Sequence, residues 1–418
     1  MPIICGTDLS EAGRGAVDVA CALAGLRGGD SVVVIHAVDP DAPEAAREQL
    51  LATARTALDA FTSPLASVTL RTELVVGPTV ETLVGYADTE GSDLIVIAAS
   101  SKSNPGGRLG NTAAQVIGQT HVPVVVVRDP APWLAYARRE RALRVLLGID
   151  ESATCDLGVQ WTHALRARGP VEVVLGAIYY PDDAAARYGI EARALVDRSP
   201  EAEQLLERDL IRRFAGEPTG VVARPRRGLG RIGDHMLELA REEHVDVIVV
   251  GTGQKTGLGR LGSVSSVIVN EATQSVVCVP PQAAVPTVVV PRLGSALVAT
   301  DLSPFANRAV AYAFAMTPPT GEIHIVHVIK GDAETDDAEL VTALRALAPE
   351  GSKQTVHAYV VRGEDAAIAL AQCAARFGVD VICISSHGRS GIARALVGSV
   401  ADRLLRATRL PVLVLRPA

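Results

Sequence analysis

Aromatic side chains make up only 3% of the 418 residues, and positive charge is in deficit, with a formal net charge of −7. A nucleic-acid partner needs a basic footprint and flat side chains on which bases stack, so neither DNA nor RNA is expected as a ligand. No apolar run approaches the roughly 18 residues of a membrane span. The opening MPIICGTDLS lacks the basic segment and long apolar stretch of a secretory leader, so a cytoplasmic chain with no membrane partner is the expectation. Cys5, Cys21, Cys155, Cys278, Cys373 and Cys383 are scattered without any CxxC, which reads as reduced thiols in apolar strands and helices. Catalytic signatures are missing too. There is no GxSxG with partners, no HExxH, and no run of histidines and carboxylates at metal-ligand spacing.

What the chain does have is aliphatic residues, and they recur in order. IICGTD (3–8), VLLGID (145–150) and ALVATD (296–301) are three buried-type strands, each ending in aspartate and each followed by a helical pattern. Second strands follow at VVVIHAV (32–38), VEVVLGAI (171–178) and IHIVHVI (323–329). A third strand then leads to Gly77, Gly230 or Gly363, each opening a helix. Fourth strands are DLIVI (93–97), DVIVV (246–250) and DVICI (380–384), and fifth strands are VPVVVV (122–127), SVVCV (275–279) and LPVLVL (410–415). Continuous Val/Ile/Leu strands alternating with helices point to a mainly parallel sheet covered on both faces. Right-handed crossovers make each unit a doubly wound, five-stranded α/β sandwich, and the chain three of them in tandem. The expected domains are 1–128, 142–281 and 294–418. The stretches 129–144 and 280–295 read as linkers or short connecting arms, the second with a TVVV (287–290) able to pair as an edge strand. The middle unit carries an insertion at about 181–217, polar and helical in pattern, expected to be a solvated helix rather than an interdomain contact.

In such sheets ligands bind beyond the carboxyl ends of the strands, where strand order reverses. The strand-one aspartates Asp8, Asp150 and Asp301, the residues after strand two, the glycines after strand three and the loops after strand four all lie at such ends. The third unit shows the loop best, as Ser385-Ser386-His387-Gly388-Arg389-Ser390-Gly391 and then Gly398-Ser399. Gly388 and Gly391 let the backbone approach a ligand. Gly398 opens a helix whose N–H groups favour phosphate, the Ser399 hydroxyl can donate to a phosphoryl oxygen, and Arg389 can neutralise charge. Asp301 can accept from a base amino group or a ribose hydroxyl.

The TDLS ending of strand one, the HV after strand two and SHGRSG…GSV…PVLVLR resemble the universal stress protein family, three times over. That resemblance implies a Gly-x2-Gly-x9-Gly-(Ser/Thr) loop for ATP, with a strand-one aspartate and a small apolar residue after strand two holding the adenine. In the third unit the pattern falls on Ser385, Gly388, Gly398 and Ser399, with Asp301 and Val328 at the adenine and Gly363 on the ribose side; the first family glycine is a serine. The second unit offers Asp150, Ala177, Gly230, Gly251, Gly262 and Ser263, with Gln254 for the second glycine and a loop shorter by two. The first has Asp8, Ala37 and Gly77 but Ala98, Ser101 and Gly110-Asn111 in its loop. The resemblance therefore implies ATP, with or without Mg²⁺, chiefly in the third unit, where binding would order the loop from Ser386 to Ser399. It also implies pairing of units through the edge strand at each unit's end. Three such edges leave one over for a second copy, hence a homodimer.

Simpler roles compete for the same residues. An aspartate ending a strand can cap the next helix or turn the chain. His36 and His327 read as satisfied core histidines, while His387 lies in the loop without a metal partner nearby in sequence. The GxGxxG matches at 228–233 and 257–262 lack the following acidic residue of a dinucleotide site, and Gly253-Gln254-Lys255-Thr256 lacks a P-loop's glycines. Asp182-Asp183 and Asp336-Asp337 read as solvated turns. Three functions remain open: an ATP-binding regulatory module, a nucleotide-free scaffold acting through oligomerisation, and a slow ATPase on the same site, although no base is positioned for an attacking water.

Overall fold

The computed structural model describes residues 1–38, 44–62, 68–99, 109–150, 152–191, 198–253, 263–283, 293–331, 334–386 and 398–416. The first repeat runs β1 (Ile3–Gly6), α1 (Glu11–Leu26), β2 (Val32–Val38), α2 (Glu44–Thr62), β3 (Leu70–Val76), α3 (Thr79–Thr89), β4 (Ile95–Ala98), α4 (Asn111–Gln119) and β5 (Val124–Val127). Helix α5 (Ala131–Ala137) leads into the second. There the order is β6 (Leu143–Gly148), α6 (Ala153–Arg166), β7 (Val171–Tyr179), α7 (Pro181–Tyr188), α8 (Pro200–Phe214), β8 (Val221–Arg227), α9 (Ile232–Glu242), β9 (Val247–Gly251), α10 (Ser263–Glu271) and β10 (Ser275–Val279). The third comprises β11 (Ser295–Ala299), α11 (Pro304–Met316), β12 (Glu322–Ile329), α12 (Asp337–Arg345), β13 (Thr355–Arg362), α13 (Ala366–Phe377), β14 (Val381–Ser385), α14 (Ser399–Ala407) and β15 (Val412–Leu415).

Each repeat orders its strands third, second, first, fourth, fifth, all parallel. The strands are uniformly apolar because both faces are covered. Ile3 and Cys5 of β1 enter one core layer and Ile4 the other, and in β11 Leu297 and Ala299 oppose Ala296 and Val298. The chain forms two compact units, Met1–Tyr179 with Leu210–Val289, and Tyr180–Asp209 with Val290–Ala418. In the first, β5 and β10 pair antiparallel (Val126 with Val276, Val124 with Cys278), which fuses two repeats into one ten-stranded sheet. The Arg128 backbone N–H donates to Ser275 Oγ at 3.1 Å and its guanidinium to the Val269 carbonyl at 2.8 Å, fastening the same seam.

Two expectations about the connecting segments need correction. The stretch after β5 is no loose arm: α5 buries Trp133 and Tyr136, and the Tyr136 hydroxyl donates to the Leu165 carbonyl at 2.7 Å. Its aromatics give it an apolar face, and burying that face outweighs the linker-like composition around it. The TVVV segment lies outside the described residues. The insertion is not a solvated helix either. Tyr188 and Ala202 are fully buried, Arg208 donates to the carbonyls of Ala375 and Arg376, and Gln372 donates to the Ala186 carbonyl at 3.0 Å. The guanidinium of Arg208 thereby meets the exposed carbonyls and negative dipole end of α13. All six cysteines are free and buried. Among the described residues no helix is long and apolar enough to cross a membrane.

Candidate functional site

Strand order reverses between the first and fourth strands of each repeat, so in the third the switch lies between β11 and β14. Asp301 follows β11 there. Its Oδ1 accepts the Ser303 N–H at 3.0 Å, Thr300 Oγ1 accepts the Leu302 N–H at 3.0 Å, and Ser303 Oγ caps α11 by accepting from Ala306 N–H. The tight turn forces Leu302 to φ +63°, a left-handed conformation that costs a leucine about 1–2 kcal/mol. The first repeat builds the same turn, with Ser10 N–H on Asp8 at 3.0 Å, Leu9 N–H on Thr7 Oγ1 at 3.1 Å and Leu9 at φ +58°. In the second, Asp150 accepts from Ser152 N–H at 2.8 Å and Ser152 Oγ at 2.5 Å. All three aspartates thus close the turn that presents a capping serine, Ser10, Ser152 or Ser303, to the next helix. Strand two pins the turn: His327 Nδ1 meets the Thr300 carbonyl at 2.8 Å and His36 Nδ1 the Thr7 carbonyl at 2.9 Å. These are satisfied histidines, as their apolar context implied.

At the end of β14, Ser385 is buried and its Oγ donates to the carbonyls of Phe305 at 3.1 Å and Ala306 at 3.4 Å. The same register position in the second repeat is Gly251, where an added Cβ would come within 3.0 Å of Thr154. In this chain the position of the first loop glycine serves the close packing of the strand-one helix. Gly388, Arg389, Gly391 and Gly262 lie outside the described residues. Beyond them, α14 begins at Gly398, which makes no side-chain cap, with Ser399 as its first residue. Among the described residues the first N–H groups of α14 thus receive no side-chain cap from the N-cap position, the arrangement an anion exploits. Helix α4 likewise begins at an uncapped Gly110, while Ser263 begins α10.

Backbone register moves two assignments in the second repeat. The N–H groups of Thr7, Ile149 and Thr300 donate to the carbonyls of Ile35, Gly176 and Val326, so the counterpart of Ala37 and Val328 is Ile178 rather than Ala177. The N–H groups of Gly77, Gly228 and Gly363 donate to Val38, Tyr179 and Ile329, so the glycine after strand three is Gly228 rather than Gly230. Gly230 sits two residues later at φ +92°. The two-glycine segment Gly228-Leu229-Gly230 hid the offset. Structure also adds what the sequence reading overlooked. Asp365 caps α13 by accepting from the Ala367 and Ile368 N–H groups, and Arg403 of α14 pairs with it at 2.7 Å. The aspartate two residues after Gly363 was the available signal.

The family model of the universal stress protein family matches residues 1–128, 142–280 and 294–416. The chain belongs to the universal stress protein family. It is similar to universal stress protein Rv2005c of Mycobacterium tuberculosis, at 31% identity over 196 residues; that match spans 43% of this chain and only 64% of the relative. A universal stress protein of Mycolicibacterium smegmatis is 26% identical over 294 residues, 65% of this chain and 97% of the relative. Among solved structures, a universal stress protein in complex with cAMP is 25% identical with a TM-score of 0.26, covering 30% of this chain and 96% of that one. A universal stress protein from Archaeoglobus fulgidus DSM 4304 has a TM-score of 0.47 at 15% identity and covers 66% of this chain and 97% of that one.

Proposed function

We propose that this universal stress protein is a cytoplasmic regulatory module that binds an adenine nucleotide, ATP in the first place, chiefly in its third repeat. The observation that carries the reading is the meeting of two features at one switch point. Asp301 closes β11 on one side, and the uncapped start of α14 at Gly398 and Ser399 follows β14 on the other. Asp301 and Val328 would hold the adenine and ribose end, with Gly363 beside the ribose. Ser399, the α14 N–H groups, Gly388, Gly391 and Arg389 would hold the phosphates, and Mg²⁺ would enter with them. The second repeat (Asp150, Ile178 or Ala177, Gly228 or Gly230, Gly251, Gly262, Ser263) and the first (Asp8) offer reduced versions of this set. Asp402 in the first turn of α14 places one carboxylate near the same helix end, a charge that Arg406 offsets at 3.1 Å.

Calorimetric titration of the full chain with ATP, ADP, AMP and cAMP tests this. One saturable site that is lost in Gly398→Val is the expected result. No saturable binding of any of the four at millimolar concentration would overturn the reading in favour of a nucleotide-free scaffold. ATP turnover abolished by the same substitution would instead make the site a slow ATPase. The assembly reading rests on β15. Its counterparts β5 and β10 are fully buried because they pair with each other, whereas every residue of β15 stays partly exposed. A second copy pairing along β15 would complete the third repeat and make a homodimer.

A further inference from the structure

Near the amino ends of β12 and β13, away from the switch point, three groups converge that the nucleotide reading does not use. Glu322 opens β12, and His324 lies two residues on, hence on the same face of the sheet. His357 of β13 stands directly across from His324 in parallel register. Glu322 Oε2 lies 3.5 Å from His324 Nε2 and 3.8 Å from His357 Nε2. One ligand atom from each residue falls within 4.8 Å of the others. The His324 ring is clamped between His357 and Phe377 of α13, each at a centroid distance of 4.9 Å.

His324 is only 5% exposed, and among the described residues neither of its buried ring nitrogens has a hydrogen-bond partner, Glu322 Oε2 standing 3.5 Å from Nε2 without hydrogen-bond geometry. An orphaned buried imidazole is costly and calls for a partner that satisfies it.

We propose that Glu322, His324 and His357 form a binding site for a divalent first-row transition metal, zinc by its donor set. Two imidazoles and one carboxylate suit zinc and leave a fourth position for water. Tetrahedral coordination at about 2.0–2.1 Å separates neighbouring ligand atoms by about 3.4 Å. The two distances from Glu322 are already close to that, and rotation of His357, whose side chain is 38% exposed, closes the rest. The site belongs to the third repeat alone. Register places Ser31, Val33 and Arg71 at these positions in the first repeat and Glu172, Val174 and Val222 in the second. No ligand spacing announced it, because the two histidines sit on different strands. Metal binding would tie edge strand β13 to β12 and stabilise the third repeat by mass action.

The test is a titration of the tag-free, chelator-treated full chain with Co²⁺ and then Zn²⁺ in a non-thiol reductant. One Co²⁺ per chain, the visible absorption of a four-coordinate ion, and its displacement by Zn²⁺ are expected. His357→Ala and Glu322→Gln each remove a direct ligand, so each should weaken affinity by more than the roughly 10–100-fold that losing an outer-shell partner costs. Control variant His36→Ala should bind as the parent does. Both ligand substitutions are at partly exposed positions, and circular dichroism verifies their folding. No stoichiometric uptake at micromolar metal, a thiolate charge-transfer band, or full binding in folded His357→Ala and Glu322→Gln would each overturn the proposal.

Discussion

Replacing Asp301 by alanine should do two separable things. In the folded chain Asp301 Oδ1 accepts the Ser303 N–H at 3.0 Å and so closes the turn into α11. Losing that bond should cost about 1 kcal/mol of stability. Asp8→Ala and Asp150→Ala remove the same kind of bond, at 3.0 and 2.8 Å, and should cost about as much. If Asp301 also accepts a hydrogen bond from the nucleotide, its loss removes a charge-assisted bond worth about 1.5–3 kcal/mol, which is about 10–150-fold in affinity. That second cost should appear in the third repeat and not in the other two. Asp301→Asn sharpens the contrast, because its amide oxygen can keep the Ser303 bond while the charge is gone. It should recover the stability and leave ATP binding weak. Chemical denaturation and calorimetry on the four variants supply both readouts. ATP affinity of Asp301→Ala within twofold of the parent, beside the expected stability loss, would show Asp301 to be a turn residue and nothing more.

Other consequences follow from packing. The Ile382 N–H donates to the Pro411 carbonyl and the Ser386 N–H to the Leu415 carbonyl, so Val412 and Val414 direct their backbone groups to the outer edge of β15. Val414→Pro should therefore leave the β14 ladder intact and shift the chain from dimer to monomer in light scattering; an unchanged mass would refute pairing through β15. Burial pushes Cys278 and Cys383 up to about 12 and Cys21 and Cys155 to about 11. A native-state thiol titration at pH 8 should find no fast-reacting cysteine, against six after denaturation. Because unfolded thiols ionise near pH 8.5 while the buried ones stay protonated, stability from this source is complete below about pH 8 and falls as pH rises toward 12. Denaturant midpoints that do not fall between pH 8 and 10 would contradict it. Arg208→Met removes the guanidinium from the Ala375 and Arg376 carbonyls, and amide exchange over 366–379 should speed up about 10-fold, the equivalent of about 1.4 kcal/mol. Unchanged exchange there would mean the contact contributes nothing.

The sequence by itself determined the triplicated architecture. Strand identity depends on short apolar runs and the turns that bound them, and both are local. The positions of Asp8, Asp150 and Asp301 at strand ends, the satisfied state of His36 and His327, and the family all followed from that local order. Tertiary structure decided everything that depends on which distant residues become neighbours. It joined β5 to β10, laid the polar insertion against α13, and moved the strand-three glycine of the second repeat from Gly230 to Gly228. It also set His357 opposite His324 across a strand pair, 33 positions apart in the chain and in contact only through parallel register. Periodicity carries no record of such pairings, because a strand's composition states that it is buried and leaves unsaid against what.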